Sequence, residues 1–406
     1  MRESDEKVLC SIKNLAIFGA PPFFKDKLHV GQPNIGDRAR LIERLNDILD
    51  RRWLTNSGHY EGEFEQRIRD YLEVKHCIAT CNGTLALQLA ERALNLSGEV
   101  LVPSFTFIAT AHSLSFQEIK PVFCDVLPGT FLIDPEDVRR KITPRTTAIM
   151  GVHVFGRPCA VEELQEIANQ QGLKLLYDAA HALGCTHKGK KIGSFGNAEV
   201  FSFHATKFIN SFEGGAVTTN DDELANRLRL LRNFGFAGMD HVIGVGTNAK
   251  MSEICAAMGI TNLEAMNTIM AHNYANYQRY KFQLQNIPGL ELVTYEEEEK
   301  RNYQYIVVRV DPDRFGLTRD ELFQLLQAEN ALARRYFYPG CHRMAPYGAI
   351  GGENDGRLPH TEKISSEILA LPTGSGVSLD KIDLLCCLMK FIHAQAEKIR
   401  RLLEVN

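Results

Sequence analysis

The chain lacks the features that define several large protein classes. No apolar run approaches the ~18 residues that a bilayer-spanning helix requires. Its 46 Lys and Arg against 50 Asp and Glu leave a formal charge of −4. No basic block interrupts that balance, so neither nucleic acid nor an anionic membrane is expected as a partner. The ten cysteines are scattered, with no pair of CxxC motifs. Cys77 and Cys81 are separated by three residues and Cys386 adjoins Cys387, neither of which suits zinc, and no metal is expected. Met1 to Lys7 is polar and charged, unlike a signal peptide. The expected location is therefore a reducing cytoplasm, with thiols such as Cys77 and Cys124 buried and free. Internal repeats and low-complexity tracts are also missing.

What is present is ample core material. The 406 residues are 44% hydrophobic and 24% charged, too many for one small domain. A large domain over 1–265 and a smaller C-terminal one over 266–406 are expected. Helical spacing of Leu41, Leu45 and Ile48, and of Phe64, Ile68 and Leu72, predicts two early helices. From residue 76 the pattern alternates. Short apolar runs near 76–80, 100–102, 121–126, 148–154, 173–177, 200–203 and 216–219 predict strands, and 84–96, 161–171 and 222–232 predict helices. That alternation argues for a mostly parallel sheet covered on both faces, an α/β fold. The glycines between 235 and 246 predict a long exposed loop, and 252–285 a helix-rich link. Beyond it, strands are expected over 304–310 and 333–338 and helices over 318–329 and 379–403. Gly351–Gly356 is expected to be a flexible surface loop.

Two strand ends stand out. Leu175-Leu-Tyr-Asp178 delivers a carboxylate, and the strand before Phe203-His-Ala-Thr-Lys207 delivers a lysine. In such sheets ligands sit outside the carboxyl ends of strands. A single lysine is ordinarily a solvated surface charge. Paired this way, the two side chains match the needs of pyridoxal 5'-phosphate (PLP). A lysine amine holds the aldehyde, and an aspartate keeps the ring nitrogen protonated so the ring can accept electrons.

Further segments fit the same cofactor. Cys81-Asn82-Gly83-Thr84 follows a strand and opens a helix. Gly83 permits close backbone approach, the first helical amides favour an anion, and Thr84 adds a hydroxyl. Phe107 follows the next strand, where an aromatic ring can lie against a pyridine. His181, three residues past Asp178, can donate toward the cofactor's phenolic oxygen, and Ser202 can reach its phosphate.

Taken together, these segments resemble the DegT/DnrJ/EryC1/StrS family of PLP-dependent nucleotide-sugar aminotransferases. The resemblance spans roughly residues 14 to 395. It is carried by Ala79-Thr-Cys-Asn82, Asp178-Ala-Ala-His-Ala-Leu-Gly-Cys185, Phe201-Ser-Phe-His-Ala-Thr-Lys207 and Phe212-Glu-Gly-Gly-Ala-Val217. Gly246-Thr-Asn-Ala-Lys-Met-Ser-Glu253, Tyr338-Pro-Gly-Cys-His342 and Leu358-Pro-His-Thr-Glu362 extend it. Many members carry Gln at the position of His181, and His there favours a subgroup that aminates C4 of dTDP-4-keto-6-deoxy-D-glucose. The resemblance implies an aspartate-aminotransferase-like (fold type I) α/β fold with a seven-stranded sheet and a small C-terminal domain. It implies a homodimer with sites at the interface and L-glutamate as amino donor. It makes Lys207 and Asp178 catalytic, and gives Gly83, Thr84, Phe107, His181 and Ser202 to the cofactor. Asn248 would reach the phosphate in the neighbouring subunit. Tyr338 and His342, and the turn from Trp53 to Gly58, would border the sugar. A 3-aminotransferase, a deoxysugar dehydratase and a catalytically silent relative are the alternatives; Lys207 argues against the dehydratase, in which histidine takes its place.

Overall fold

The computed structural model describes residues 11–348 and 357–403; Met1–Lys7 and Gly351–Gly356 lie outside them. A seven-stranded sheet organises the first part of the chain. Its strands are β1 (His76–Thr80), β2 (Glu99–Pro103), β3 (Lys120–Cys124), β4 (Thr146–Val152), β5 (Lys174–Asp178), β6 (Ala198–Ser202) and β7 (Gly215–Thr219). They lie in the order β1-β7-β6-β5-β4-β2-β3. All neighbours are parallel except around β7, which runs antiparallel to β1 and β6.

Alternation of side chains explains the sequence pattern. Leu176, Val200, Ala148 and Met150 face one side, against Ala86, Leu87 and Ala90 of the helix Gly83–Ala93. Leu175, Tyr177 and Ile149 face the other, against Leu164, Ile167 and Ala168 of the helix Val161–Gln171. Burial on both faces makes each strand read as an apolar run. Each buried Leu, Val or Ile contributes about 1.5–3 kcal/mol, so the sheet is a stiff platform. Its parity places Asp178 and Ser202 on the Leu176–Val200 face, at the carboxyl ends of β5 and β6.

A second sheet is antiparallel: β8 (Leu290–Leu292), β9 (Ile306–Val310) and β10 (Ile368–Leu371), in that order. Helices Met266–Leu284, Arg319–Ala328 and Leu379–Ala394 enclose its core through Tyr280, Leu322 and Leu385. The start of the chain joins this core: Leu15, Phe24 and Leu28 are buried in it. Leu28–His29 pairs in parallel with Ala331–Leu332, and the Glu329 carboxylate accepts from the amides of Ala16 and Phe23, each at 2.6 Å.

The helix-rich run expected from 252 consists of two helices, Glu253–Glu264 and Met266–Leu284, meeting at Ala265. Two sequence expectations are corrected. The glycine-punctuated stretch after 234 is a small exposed hairpin, Phe236–Gly238 against His241–Val242. Residues 333–338 form no strand beyond a bridge from Arg334 to Ala370. Turn bonds from Tyr338 N to Arg335 O and from Gly340 N to Phe337 O fold that segment instead. The short strands β8 and β10 escaped notice because three or four residues carry little periodicity. Among the described residues, no helix is long and apolar enough to cross a membrane.

Candidate active site

A cavity of about 440 Å³ opens at the carboxyl edge of the large sheet. It gathers Gly83, Thr84, Phe107, Asp178, His181, Ser202 and Lys207 onto one wall system, although they are spread over more than a hundred residues of sequence. The anion cradle begins with Asn82, which leaves β1 in extended conformation and caps the following helix, its side chain accepting from Leu85 N at 2.8 Å. Gly83 and Thr84 come next, and their amides have no carbonyl within the helix to bond. Glycine is required here by crowding: a Cβ on Gly83 would stand 3.0 Å from Ser202 Cβ, and one on Gly215 would stand 2.5 Å from Asn82 O. The cradle thus lies where β1, β6 and β7 come into close contact.

Asp178 sits deeper and is held from two directions. Thr110 Oγ1 donates to Asp178 Oδ2 at 2.8 Å, and Ala180 N donates to Oδ1 at 3.1 Å. Thr106 Oγ1 lies 2.8 Å from Thr110 Oγ1. Since the Thr110 hydrogen goes to Asp178, the Thr106 hydroxyl donates to Thr110, making a relay of oriented hydroxyls. The carboxyl group therefore has a fixed direction before any ligand arrives.

Lys207 lies in the turn after β6, its amide bonded to His204 O at 2.8 Å. Burial lowers its ammonium from the ordinary lysine range to about 8, and the charge of Asp178 opposes that shift. A lysine tuned this way has a large neutral fraction near physiological pH and can act as nucleophile or base. Burial, and secondarily the Lys207 charge, push His181 well below the ordinary histidine range. Its Nδ1 accepts from Phe155 N at 3.2 Å. The ring proton of neutral His181 is consequently on Nε2, free to donate. Phe155 adopts a left-handed backbone (φ 55°) to make that contact, and its ring stacks on the imidazole.

Other expected residues stand elsewhere. Tyr338 is half-exposed beneath the guanidinium groups of Arg319 and Arg335. His342 is buried outside the cavity, its Nδ1 2.6 Å from Ser104 Oγ and its Nε2 3.2 Å from Glu362. The Tyr338–His342 motif serves as a dock: it fastens the second sheet's unit to Ser104 at the end of β2. Leu358–Glu362 does likewise, since Asp125 accepts from the amides of His360 and Thr361 at the start of the helix Pro359–Glu367. Docking swings Arg334, Tyr336 and Phe337 onto the cavity wall, with Tyr305 beside them. Sequence reading missed these four, along with Thr106 and Thr110. Only Thr110 carried a usable signal: it is one helical turn past Phe107. Trp53–Gly58 is outside the cavity, with Trp53 and Leu54 exposed. Asn248 is exposed too, accepting from Lys250 Nζ at 2.7 Å.

A model of the DegT/DnrJ/EryC1/StrS aminotransferase family matches residues 36–390. The chain belongs to that family. It is 36% identical over 356 residues to the dTDP-4-amino-4,6-dideoxy-D-glucose transaminase of Shigella dysenteriae, covering 88% of this chain and 96% of that protein. It is 34% identical to the GDP-perosamine synthase of Caulobacter vibrioides, covering 88% and 96%. The crystal structure of DesI in the presence of its TDP-sugar product superposes with a TM-score of 0.91 at 45% identity, covering 97% of this chain and 99% of that one. The protein is a PLP-dependent nucleotide-sugar aminotransferase of fold type I. The cavity suits the cofactor: a partly buried amine, an anchored carboxyl and an amide cradle stand around one space of adequate volume.

Proposed function

We propose that this enzyme transfers the amino group of L-glutamate to C4 of dTDP-4-keto-6-deoxy-D-glucose, as a homodimer with its sites at the subunit interface. The observation that carries the transaminase chemistry is Lys207 facing Asp178 across one cavity, with its amine lowered to about 8. Bound PLP supplies the electron sink that makes a substrate α-carbon acidic. Asp178, oriented by Thr110 and Ala180, would hold the proton on the ring nitrogen. Lys207 Nζ would hold the cofactor aldehyde at rest and, when free, would serve as the base that takes the proton from the glutamate α-carbon and as the acid that returns it. The amides of Gly83 and Thr84 and the Ser202 hydroxyl would hold the phosphate, Phe107 would border the ring, and the Nε2 proton of His181 would be available to the cofactor's phenolic oxygen.

The outer wall supplies the rest. Arg334 has no acidic partner among the described residues, so it offers the cavity a cation for a carboxylate or diphosphate. Asn248 is assigned to the phosphate in the neighbouring subunit. The exposed apolar side chains of Phe234, Phe236, Met239, Ile243 and Val245 on the adjacent hairpin are what a self-complementary interface needs. The C4 assignment is supported by the likeness to the Shigella enzyme. Incubation with glutamate and separate 4-keto and 3-keto dTDP-sugars, followed by NMR of the products, tests it. Amination at C4 is expected; exclusive amination of the 3-keto sugar overturns the regiochemistry and leaves the site intact.

A further inference from the structure

Glu91 is a fully buried acid. It lies in the helix Gly83–Ala93, two turns past the phosphate cradle. Among the described residues it has no ion pair. Its Oε1 lies 2.5 Å from Ser113 Oγ, and its Oε2 accepts from the Gln117 amide. Ser113 Oγ also lies 3.1 Å from the carbonyl oxygen of Thr110. Thr110 is the residue whose hydroxyl donates to Asp178. Glu91 thus stands behind the cofactor's carboxyl partner, two hydrogen-bonded residues removed.

Burial without a counter-ion favours the neutral state, because an isolated carboxylate in apolar surroundings is costly. A serine hydroxyl has one hydrogen to give. With Glu91 protonated, its own hydrogen goes to Ser113 Oγ and the Ser113 hydrogen goes to Thr110 O, so every contact of the network is used. Burial pushes Glu91 up to about 7; the bonds from Ser113 and Gln117 oppose this, and the charge of Asp178 adds to it. The groups facing it are Ser113 and Gln117 from the segment after Ala109 and Asp178 from the end of β5. No charged side chain of the helix Asp222–Arg232 bonds it.

We propose that Glu91 is a positioning residue which, as a neutral acid, holds Ser113 and Thr110 in place beneath Asp178 and leaves Asp178 the single buried negative charge under the cofactor ring. The inference rests on the transaminase reading for its consequence, though not for the state of Glu91 itself. An amide can replace a neutral acid here: in Glu91→Gln the side-chain nitrogen donates to Ser113 and the oxygen accepts from Gln117. Glu91→Ala can do neither.

The test has two parts. The first is thermal unfolding of the cofactor-free protein between pH 5 and pH 8.5. A carboxyl whose folded pKa is raised favours the native state below its unfolded value, and this contribution is lost as pH rises through about 7. Wild-type Tm is therefore expected to fall relative to Glu91→Gln across that window. A constant gap between the two overturns the neutral state, whether or not the enzyme transaminates. The second part is turnover with absorbance of the cofactor-loaded protein. Glu91→Gln is expected to retain about tenfold more kcat than Glu91→Ala, with a cofactor spectrum like the wild type, as expected for a restored buried hydrogen bond. Equal loss in both variants overturns the positioning role. If Glu91→Ala fails to fold, the comparison of Glu91→Gln with wild type still gives the decision.

Discussion

The two sides of the cavity are held in place by different kinds of structure. On the sheet side, Asp178 and Ser202 are the last residues of β5 and β6, fixed by a ladder buried on both faces. Gly83 and Lys207 are one turn from strands of the same sheet. On the opposite side, Tyr305, Arg334, Tyr336 and Phe337 come from the second unit. They owe their position to docking contacts at Ser104 and Asp125. The first side is held by the sheet and carries the residues assigned to the chemistry. The second is carried on irregular backbone. Conserving a reaction while varying its sugar calls for this division of labour.

The largest expected effects break the sheet side. Lys207→Ala should cost about 10⁴-fold in turnover, the upper end for a lost acid–base group, while circular dichroism stays native. Asp178→Asn should retain cofactor and lose about 10- to 100-fold, the worth of a charge-assisted hydrogen bond of about 1.5–3 kcal/mol. Near-normal turnover in either variant contradicts the assigned role.

The pH dependence sharpens the contrast. Only neutral Lys207 can capture the cofactor, so capture by the cofactor-free protein, followed by visible absorbance, should accelerate with pH and level off above about 8. The charge of Asp178 raises the Lys207 value. Asp178→Asn should therefore move the inflection to lower pH, and a shift to higher pH would refute the coupling. Next comes the interface. Mixing Lys207→Ala with Asn248→Ala subunits should restore about a quarter of wild-type sites, because half the dimers are mixed and each has one intact site. No recovery despite proven exchange removes Asn248 from the partner's site. The smallest catalytic effect is expected at the dock. His342→Ala should lower stability by about 1–3 kcal/mol through its orphaned Ser104 partner, measured by denaturant unfolding, with cofactor retention unchanged.

The same contrast explains what could be read from the chain. Asp178, Ser202 and Lys207 were legible because a strand end and its turn are local: apolar run, then polar residue, within ten positions. The seven strands were legible for the same reason, within a few residues at their ends. Arg334 and Tyr336 were not, because their place depends on where a second unit docks, which no local pattern encodes. His342 drew attention as a candidate for the sugar, yet its imidazole is occupied by Ser104 and Glu362. The N-terminal strand Leu28–His29 was unreadable since two residues have no periodicity and its partner lies some three hundred positions away.

The most direct test of the central claim is to fix the cofactor chemically where it is held. Borohydride reduction of the PLP-loaded protein, proteolysis and peptide mass spectrometry will show which lysine bears it. The added mass is expected on the peptide containing Lys207 and is expected to be absent there in Lys207→Ala. A label on any other lysine, or on Lys207 only in trace beside a major site elsewhere, would contradict it.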